Sequence, residues 1–174
     1  MPKIIKRLTF LFLISSIILI ILYKVTSKEI LLPYAITFGT ITYHFVMRLL
    51  VGLGFNSTMR NKADYRKRWY QISKFERALY EKLKVKKWKN KMPTYNSDLF
   101  NPKLHTWNDI AQAMCQAELV HETIVVLSFV PIVEGIWFGE YPVFVVTSIL
   151  AAMFDMIFVI IQRYNRQRVI RMIH

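Results

Sequence analysis

The chain is poor in the residues that build the commonest soluble active sites. It has one cysteine, Cys115, so it can form neither an intrachain disulfide nor a multi-cysteine metal site. Its 5 glycines form no phosphate-binding loop, and neither a Gly-x-Ser-x-Gly elbow nor a Cys/His zinc spacing is present. Acidic residues are also scarce, at 11 against 24 lysines and arginines. These absences exclude the commonest classes of soluble enzyme.

Long apolar runs are abundant instead. Four stretches are nearly free of charge: residues 8–23, 34–54, 119–139 and 141–162. Each is long enough, at about 1.5 Å per helical residue, to cross most of a hydrocarbon core about 30 Å thick. No clear signal-peptide cleavage site follows Tyr23, so we expect the first stretch to be a retained helix. The sequence therefore predicts an all-α polytopic membrane protein with about four transmembrane helices, one membrane domain over residues 1–174.

Basic residues are concentrated on one side of these spans. The segment 55–117 contains 14 lysines and arginines against 5 acidic residues. Because basic residues stay on the cytoplasmic side of short loops, this segment and both termini are predicted to be cytoplasmic in a multi-pass cell-membrane protein. The net charge of +13 is explained by this bias, and no nucleic-acid-binding motif accompanies it. We expect the charges to face anionic lipid headgroups or a polyphosphate-bearing cofactor, and expect no nucleic-acid partner.

The basic segment is too long for a bare loop, and its pattern predicts two helical parts. Its first part carries apolar residues at three- and four-residue intervals, namely Trp69, Ile72, Phe75, Leu79 and Leu83. This periodicity predicts an amphipathic helix lying in the cytoplasmic interface. A breaker-rich stretch, 91–103, follows it. Thr106 and Asp109 then have N-cap spacing, which predicts a helix running into the third apolar stretch with a bend at Pro131.

Ionisable side chains inside the apolar stretches are candidates for function, because burying charge in a bilayer is costly. Those within or beside the cytoplasmic halves of the stretches are His44, Arg48, Glu118, His121, Glu122, Asp155 and the neutral Gln162, whereas only Glu134 is expected near the outside. Glu118 and His121 are spaced i, i+3 on one helical face, where a carboxylate can orient an imidazole as a general base. Arg48 is expected to neutralise Glu118 or Asp155, or to hold a phosphate or developing oxyanion.

Two competing interpretations of this cluster follow from the same residues. An isolated Glu-x-x-His pair at a helix entrance is also common as a structural feature. Glu122 extends the cluster to three possible ligands, but the Glu-x-x-His motif of di-metal bundles is normally duplicated and here it is single. We therefore predict no metal site, with His44, Glu122 and Asp155 in supporting positions.

The end of the fourth stretch is rich in hydrogen-bond donors. Its polar residues are Gln162, Arg163, Asn165, Arg166 and Arg168. They can serve as a positive-inside anchor, or they can converge on the phosphates of an acyl donor.

Three blocks resemble the small membrane acyltransferases of the glycosyl-diaponeurosporenoate type, which acylate the sugar of a carotenoid glycoside. The blocks are VKKWKNK with Trp88, Lys89 and Lys91, QAELVH with Glu118 and His121, and IIQRYNRQR at the end of the fourth stretch. The resemblance covers the second half of the chain. It implies acyl transfer, without a tightly bound cofactor, from a donor such as acyl-CoA to a lipid or glycolipid acceptor.

The residues and the resemblance together predict transfer of a fatty acyl group to a hydroxyl of a lipid or glycosylated isoprenoid. His121 is the predicted general base and Glu118 its orienting carboxylate. Arg48 and Arg163 are expected to stabilise the oxyanion or donor phosphates. The remaining predicted donor-binding residues are Trp88, Lys89, Lys91, Gln162, Asn165, Arg166 and Arg168. The alternatives are a small membrane methyltransferase and a non-enzymatic membrane adaptor with a basic lipid-binding helix.

Overall fold

The computed structural model describes residues 2–92 and 97–173, and within them the chain is helical, with no strand. The helices are α1 (Pro2–Thr26), α2 (Leu31–Met59), α3 (Lys74–Lys82), α4 (Val85–Trp88), α5 (Trp107–Leu127), α6 (Pro131–Phe138) and α7 (Tyr141–Ile170). Short 3-10 turns occupy Arg68–Tyr70, Lys89–Lys91 and Asp98–Phe100. The predicted all-α class is confirmed. Of the breaker-rich stretch, residues 93–96 lie outside the described residues.

Four helical segments have the length and composition of membrane spans. They are Lys3–Thr26, Leu31–Met59, Trp107–Phe138 and Tyr141–Ile170. Their surfaces expose large apolar side chains, including Phe10, Ile17, Leu50, Trp137 and Leu150. Contiguous apolar surface of this extent suits a lipid environment and is a liability in water. The chain is therefore a polytopic membrane protein, as the sequence predicts.

The chain divides into two compact units. The first unit contains residues 1–51 and 123–154, and the second contains residues 52–122 and 155–174. In the first unit, the Ser16 hydroxyl of α1 donates to the Ala35 carbonyl of α2 over 3.2 Å. The Phe12 ring packs on the Phe38 and Phe45 rings, with centroids 5.7 and 5.8 Å apart. These contacts join the first two spans. The Ser16 hydroxyl takes a carbonyl of the neighbouring helix as its acceptor because no water is present in the bilayer core.

The third span is broken where the sequence predicts only a bend. Helix α5 ends at Leu127, residues 128–130 form turns, and α6 restarts with Pro131 in its first turn. Proline lacks the N–H that a continuing helix needs, but the first helical turn does not use that N–H. The Tyr43 hydroxyl donates to the Leu127 carbonyl over 3.0 Å, which supplies a partner at the break.

The second unit has an apolar core between the basic segment and the helix ends. Its buried residues are Tyr65, Tyr70, Ile110, Ala111, Met114, Cys115 and Val169. The predicted helix start before Trp107 is confirmed: the Asp109 N–H donates to Thr106 Oγ1 over 3.2 Å, and Asp109 Oδ2 accepts from the Thr106 hydroxyl. Cys115 is buried in this core as a free thiol.

The amphipathic helix is shorter than the periodicity of the sequence predicts. Helix α3 begins after Ser73, whose side chain accepts from the Glu76 N–H while the Glu76 carboxylate accepts from the Ser73 N–H. This capping box sets the start of the helix. Trp69 and Ile72 therefore precede it, and the prediction of a continuous helix through both was wrong. Phe75, on the helix itself, is 77% exposed.

Candidate active site

A histidine and a carboxylate from α5 and α7 form the pair best suited to proton transfer. His121 Nδ1 lies 2.9 Å from Asp155 Oδ1. Asp155 is buried, with 2% of its side chain exposed, whereas His121 keeps 24% exposed. The Phe158 ring stacks on the imidazole with centroids 4.8 Å apart and an interplanar angle of 14°. A carboxylate at Nδ1 favours the tautomer with its proton on Nδ1, which leaves the Nε2 lone pair to accept a proton.

Glu118 has a different role from the one predicted. Its carboxylate is fully buried and accepts from Arg163 Nη1 over 2.5 Å and from Arg166 Nη1. The prediction that Glu118 orients His121 is corrected, because Asp155 holds that position. The i, i+3 spacing places Glu118 and His121 near the same face, but a buried carboxylate gains far more from two guanidinium groups than from an adjacent imidazole.

The two arginines also hold the backbone of the 3-10 turn before α3. Arg163 donates to the carbonyls of Trp69 and Gln71 over 3.2 and 3.1 Å, and Arg166 donates to the carbonyl of Tyr70 over 2.6 Å. We call this set of contacts, centred on Glu118, the arginine clamp. It fastens the basic segment to α5 and α7. Arg166 has no exposed surface, so its expected contact with donor phosphates is not compatible with this arrangement, and its guanidinium is structural.

Additional contacts complete the surroundings of the arginine clamp. The Arg166 guanidinium lies 5.1 Å from the Tyr70 ring centre, a favourable cation–π geometry. Burial raises the pKa of the Tyr70 phenol to about 12, so this side chain is neutral at physiological pH. Arg163 Nε lies 2.9 Å from Glu76 Oε1, which links α7 to the first turn of α3.

A second polar cluster surrounds Lys89. Its ammonium donates to Asn165 Oδ1 over 2.5 Å and lies 5.5 Å from the Tyr164 ring centre. Burial lowers the pKa of Lys89, and the charge of Arg168 lowers it further. A partly buried lysine beside a second cation is an environment that an anion would stabilise. The sequence predicts that Lys89 and Arg168 both bind the donor, and the two side chains lie close enough for the charge of one to act on the other.

The other predicted donor-binding residues, Trp88, Lys91 and Gln162, also belong to the second unit. The Trp88 indole N–H donates to the Leu83 carbonyl over 2.9 Å. Lys91 is exposed at the end of the Lys89–Lys91 turn, and Gln162 is half-buried on α7. The Trp88 hydrogen bond ties the indole to the residue that follows α3.

The predicted supporting residues are divided between the two units. His44 is buried in the first unit, and Arg48 donates there to the carbonyls of His44 and Ala151 over 3.0 and 3.4 Å. Glu122 accepts from the Trp69 indole over 3.1 Å in the second unit and lies 3.8 Å from Arg163 Nη1. Among residues 2–92 and 97–173, no group of three His, Cys, Asp or Glu side chains is arranged to hold a metal ion.

Three participants were missed by sequence reasoning. Phe158 stacks on His121, Glu76 binds Arg163, and the carbonyls of residues 69–71 accept from the arginine clamp. The first was detectable, since Asp155, Phe158 and Gln162 recur at three- and four-residue spacing on one face of α7. Glu76 was also detectable, because the Ser-x-x-Glu pattern that begins at Ser73 predicts a capping box with Glu76 in the first turn of a helix. Backbone carbonyls leave no sequence signal.

The protein is thus a polytopic membrane protein with four spans, a buried Asp155 carboxylate against the His121 imidazole, and a separate cationic cluster around Lys89. A family model of the glycosyl-4,4'-diaponeurosporenoate acyltransferases matches residues 66–174, more than half of the chain. The chain belongs to this family and is an acyltransferase of carotenoid biosynthesis. No curated protein and no solved structure matches it.

The matched region contains the whole second unit from Arg66 onward. His121, Asp155, the arginine clamp and the Lys89 cluster all fall within it, whereas His44 and Arg48 precede it. Membership in the family decides between the expected activities: acyl transfer holds, and the methyltransferase and adaptor alternatives fall away.

Proposed function

We propose that the protein transfers a fatty acyl group from an activated donor, such as an acyl-CoA, to a hydroxyl of a membrane-embedded glycosylated isoprenoid. The observation that carries this proposal is the pairing of His121 Nδ1 with Asp155 Oδ1 over 2.9 Å. A sugar hydroxyl is a weak nucleophile until a positioned base removes its proton. An imidazole with one nitrogen anchored and part of its ring accessible supports that role.

The proposed reaction needs one base and no redox partner. His121 Nε2 takes the proton of the acceptor hydroxyl as its oxygen attacks the thioester carbonyl. The carbon–sulfur bond then breaks, the new ester remains, and the departing thiolate receives the proton from the imidazolium. Asp155 stabilises that imidazolium. His121 is therefore the catalytic residue in this scheme and Asp155 its positioning residue.

The Lys89 cluster is the proposed site for the anionic part of the donor. Lys89 and Arg168 supply two positive charges, and Asn165 Oδ1 accepts a hydrogen bond from the Lys89 ammonium. A phosphate here would relieve the repulsion that lowers the pKa of Lys89. The exposed Lys91 side chain extends the same positive surface.

The orientation proposed for the chain puts this cluster on the side of the cell that contains soluble acyl donors. The excess of basic residues in 55–117 supports a cytoplasmic location for the segment and for both termini. The opposite ends of the spans carry few charges, which accords with an external position.

Purified protein in lipid nanodiscs provides the direct test. A long-chain acyl-CoA should raise the melting temperature, whereas S-adenosylmethionine should leave it unchanged. Incubation with labelled acyl-CoA and a glycosylated isoprenoid acceptor should then yield an ester detectable by mass spectrometry. Lipids from a strain lacking the protein should lack one acyl chain on the natural acceptor. An unchanged lipid profile together with no ester in vitro would overturn the proposal.

A further inference from the structure

The first unit contains a cavity that the proposed chemistry does not use. It has a volume of about 190 Å³ and is lined by residues from all four spans. Ile20 comes from α1, Ile36 and Gly39 from α2, Phe138 from α6 and Phe144 from α7. Most of the lining is apolar, and a cavity of this kind takes hydrocarbon in preference to water.

The two hydroxyl groups in the lining, of Ser16 and Thr40, are already hydrogen-bonded within the protein and need no polar ligand. The Ser16 hydroxyl donates to the Ala35 carbonyl over 3.2 Å, and the Thr40 hydroxyl donates to the Ile36 carbonyl over 2.9 Å. Both donors are therefore satisfied within the protein.

Glu134, the charged residue among those that line the cavity, disfavours ligands with an anionic headgroup. Glu134 is acidic, and no basic residue lines the cavity. A carboxylate in this position repels phosphate and carboxylate headgroups. A neutral hydrocarbon chain meets no such repulsion.

We propose that this cavity binds the hydrocarbon tail of a lipid substrate and limits the length of the tail that the enzyme accepts. This inference rests on the proposed acyl transfer. The tail belongs either to the acyl donor or to the isoprenoid acceptor, and the chemistry of the lining is the same for both. Gly39 is the position that controls the available space, because its missing side chain leaves the wall of α2 open.

Two substitutions at the wall change the cavity in opposite directions. Gly39→Phe fills it: a Cβ at this position would sit 3.4 Å from Ser16 Oγ, an ordinary contact, so the backbone accepts a side chain. Ile36→Ala enlarges it. Gly54→Phe is the matched control, because a Cβ there meets nothing within 4 Å.

The experiment measures relative kcat/KM in nanodiscs for two substrate series, one varying the acyl chain of the donor and one varying the isoprenoid of the acceptor. Gly39→Phe should shift one of the two profiles toward shorter chains, by about tenfold or more for each excluded methylene. Ile36→Ala should shift the same profile toward longer chains, and Gly54→Phe should match the wild type. Whichever series responds identifies the tail.

Three results would overturn the inference. The first is an unchanged profile in both series for Gly39→Phe and Ile36→Ala. The second is a uniform loss across all chain lengths in Gly39→Phe while Ile36→Ala behaves as wild type. The third is a phospholipid that co-purifies with wild type and is lost from Gly39→Phe without any change of profile, which would make the cavity a structural lipid site. In each case wild-type acyl transfer persists, so the proposed function would survive; absence of wild-type transfer would remove both.

Discussion

At the scale of single residues, two buried carboxylates within one unit have different tasks because they have different partners. Asp155 faces an imidazole whose charge can change, whereas Glu118 faces two guanidinium groups whose charge does not. A carboxylate on a titratable partner can assist proton transfer, and one between permanent cations can only hold structure. The two positions should therefore respond differently to removal of the negative charge.

Replacing Asp155 by Asn should reduce catalysis without removing the donor site. The amide cannot stabilise an imidazolium and permits the wrong tautomer of His121, so kcat should fall by about a hundredfold or more. The KM for the acyl donor should change little, because the Lys89 cluster is untouched. Steady-state kinetics on protein of unaltered helix content checks this, and a wild-type kcat would contradict the positioning role.

Replacing Glu118 by Gln should instead lower stability. The variant leaves Arg166 buried without its carboxylate, a loss of about 3–5 kcal/mol in unfolding free energy for a broken buried ion pair. Glu122→Gln is the matched control, since Glu122 lies 3.8 Å from Arg163 with 25% of its side chain exposed. Its loss should be below about 1 kcal/mol. Equal melting temperatures for the two variants would show that the arginine clamp does not stabilise the fold.

At the scale of elements, local signals were predictable and tertiary pairings were not. The start of α5 at Thr106 follows from side chains three residues apart, so the sequence contains it in full. The partner of Glu118 depends on which α7 residues face α5, and the sequence does not reveal this pairing. The predicted i, i+3 contact with His121 would stabilise the helix by only about 0.2–0.5 kcal/mol, so it does not determine the partner. Periodicity likewise overextended α3 through Trp69, because the backbone of that turn binds the arginine clamp instead of continuing a helix.

The start of α3 should be sensitive to acid. Burial alone raises the pKa of Glu76, but hydrogen bonds from Ser73 and the charge of Arg163 outweigh burial, and the net pKa is lowered. A carboxyl group with a lowered folded-state pKa stabilises fully above its unfolded pKa and loses that effect as the pH falls through the folded value. The protection factors of the α3 amides, which compare measured exchange with the intrinsic rate at each pH, should therefore fall on acidification.

Two variants separate this effect from general acid damage. Glu76→Gln should show lower protection factors in α3 at neutral pH, and these should change less with acidification than those of the wild type. Glu81→Gln, an exposed position on the same helix, should retain the wild-type response. Identical pH dependence in wild type and Glu76→Gln would exclude this group as the cause.

At the scale of the whole molecule, orientation decides whether soluble donors reach the Lys89 cluster. The native Cys115 is buried, so introduced cysteines can report on accessibility with little background. In intact cells, a membrane-impermeant maleimide should label Lys28→Cys, between α1 and α2, and should label Lys86→Cys only after permeabilisation. Both native side chains are exposed. The reverse pattern would place the basic segment outside.

The region that matches the family model includes the proposed catalytic residues but not the first two helices. The proposed catalytic pair and donor site lie within residues 66–174, whereas α1 and α2 both precede that region. The cavity of the first unit draws part of its lining from α1 and α2, so the proposal predicts that substrate choice depends in part on residues that the family model does not match.

Single-turnover acyl transfer by wild type and His121→Ala in identical nanodiscs tests the central claim most directly. Wild type should form the acceptor ester from labelled acyl-CoA. His121→Ala should still be stabilised thermally by acyl-CoA, and should form ester at least about a hundredfold more slowly. Ester formation by His121→Ala at the wild-type rate would contradict the assignment of His121 as the base.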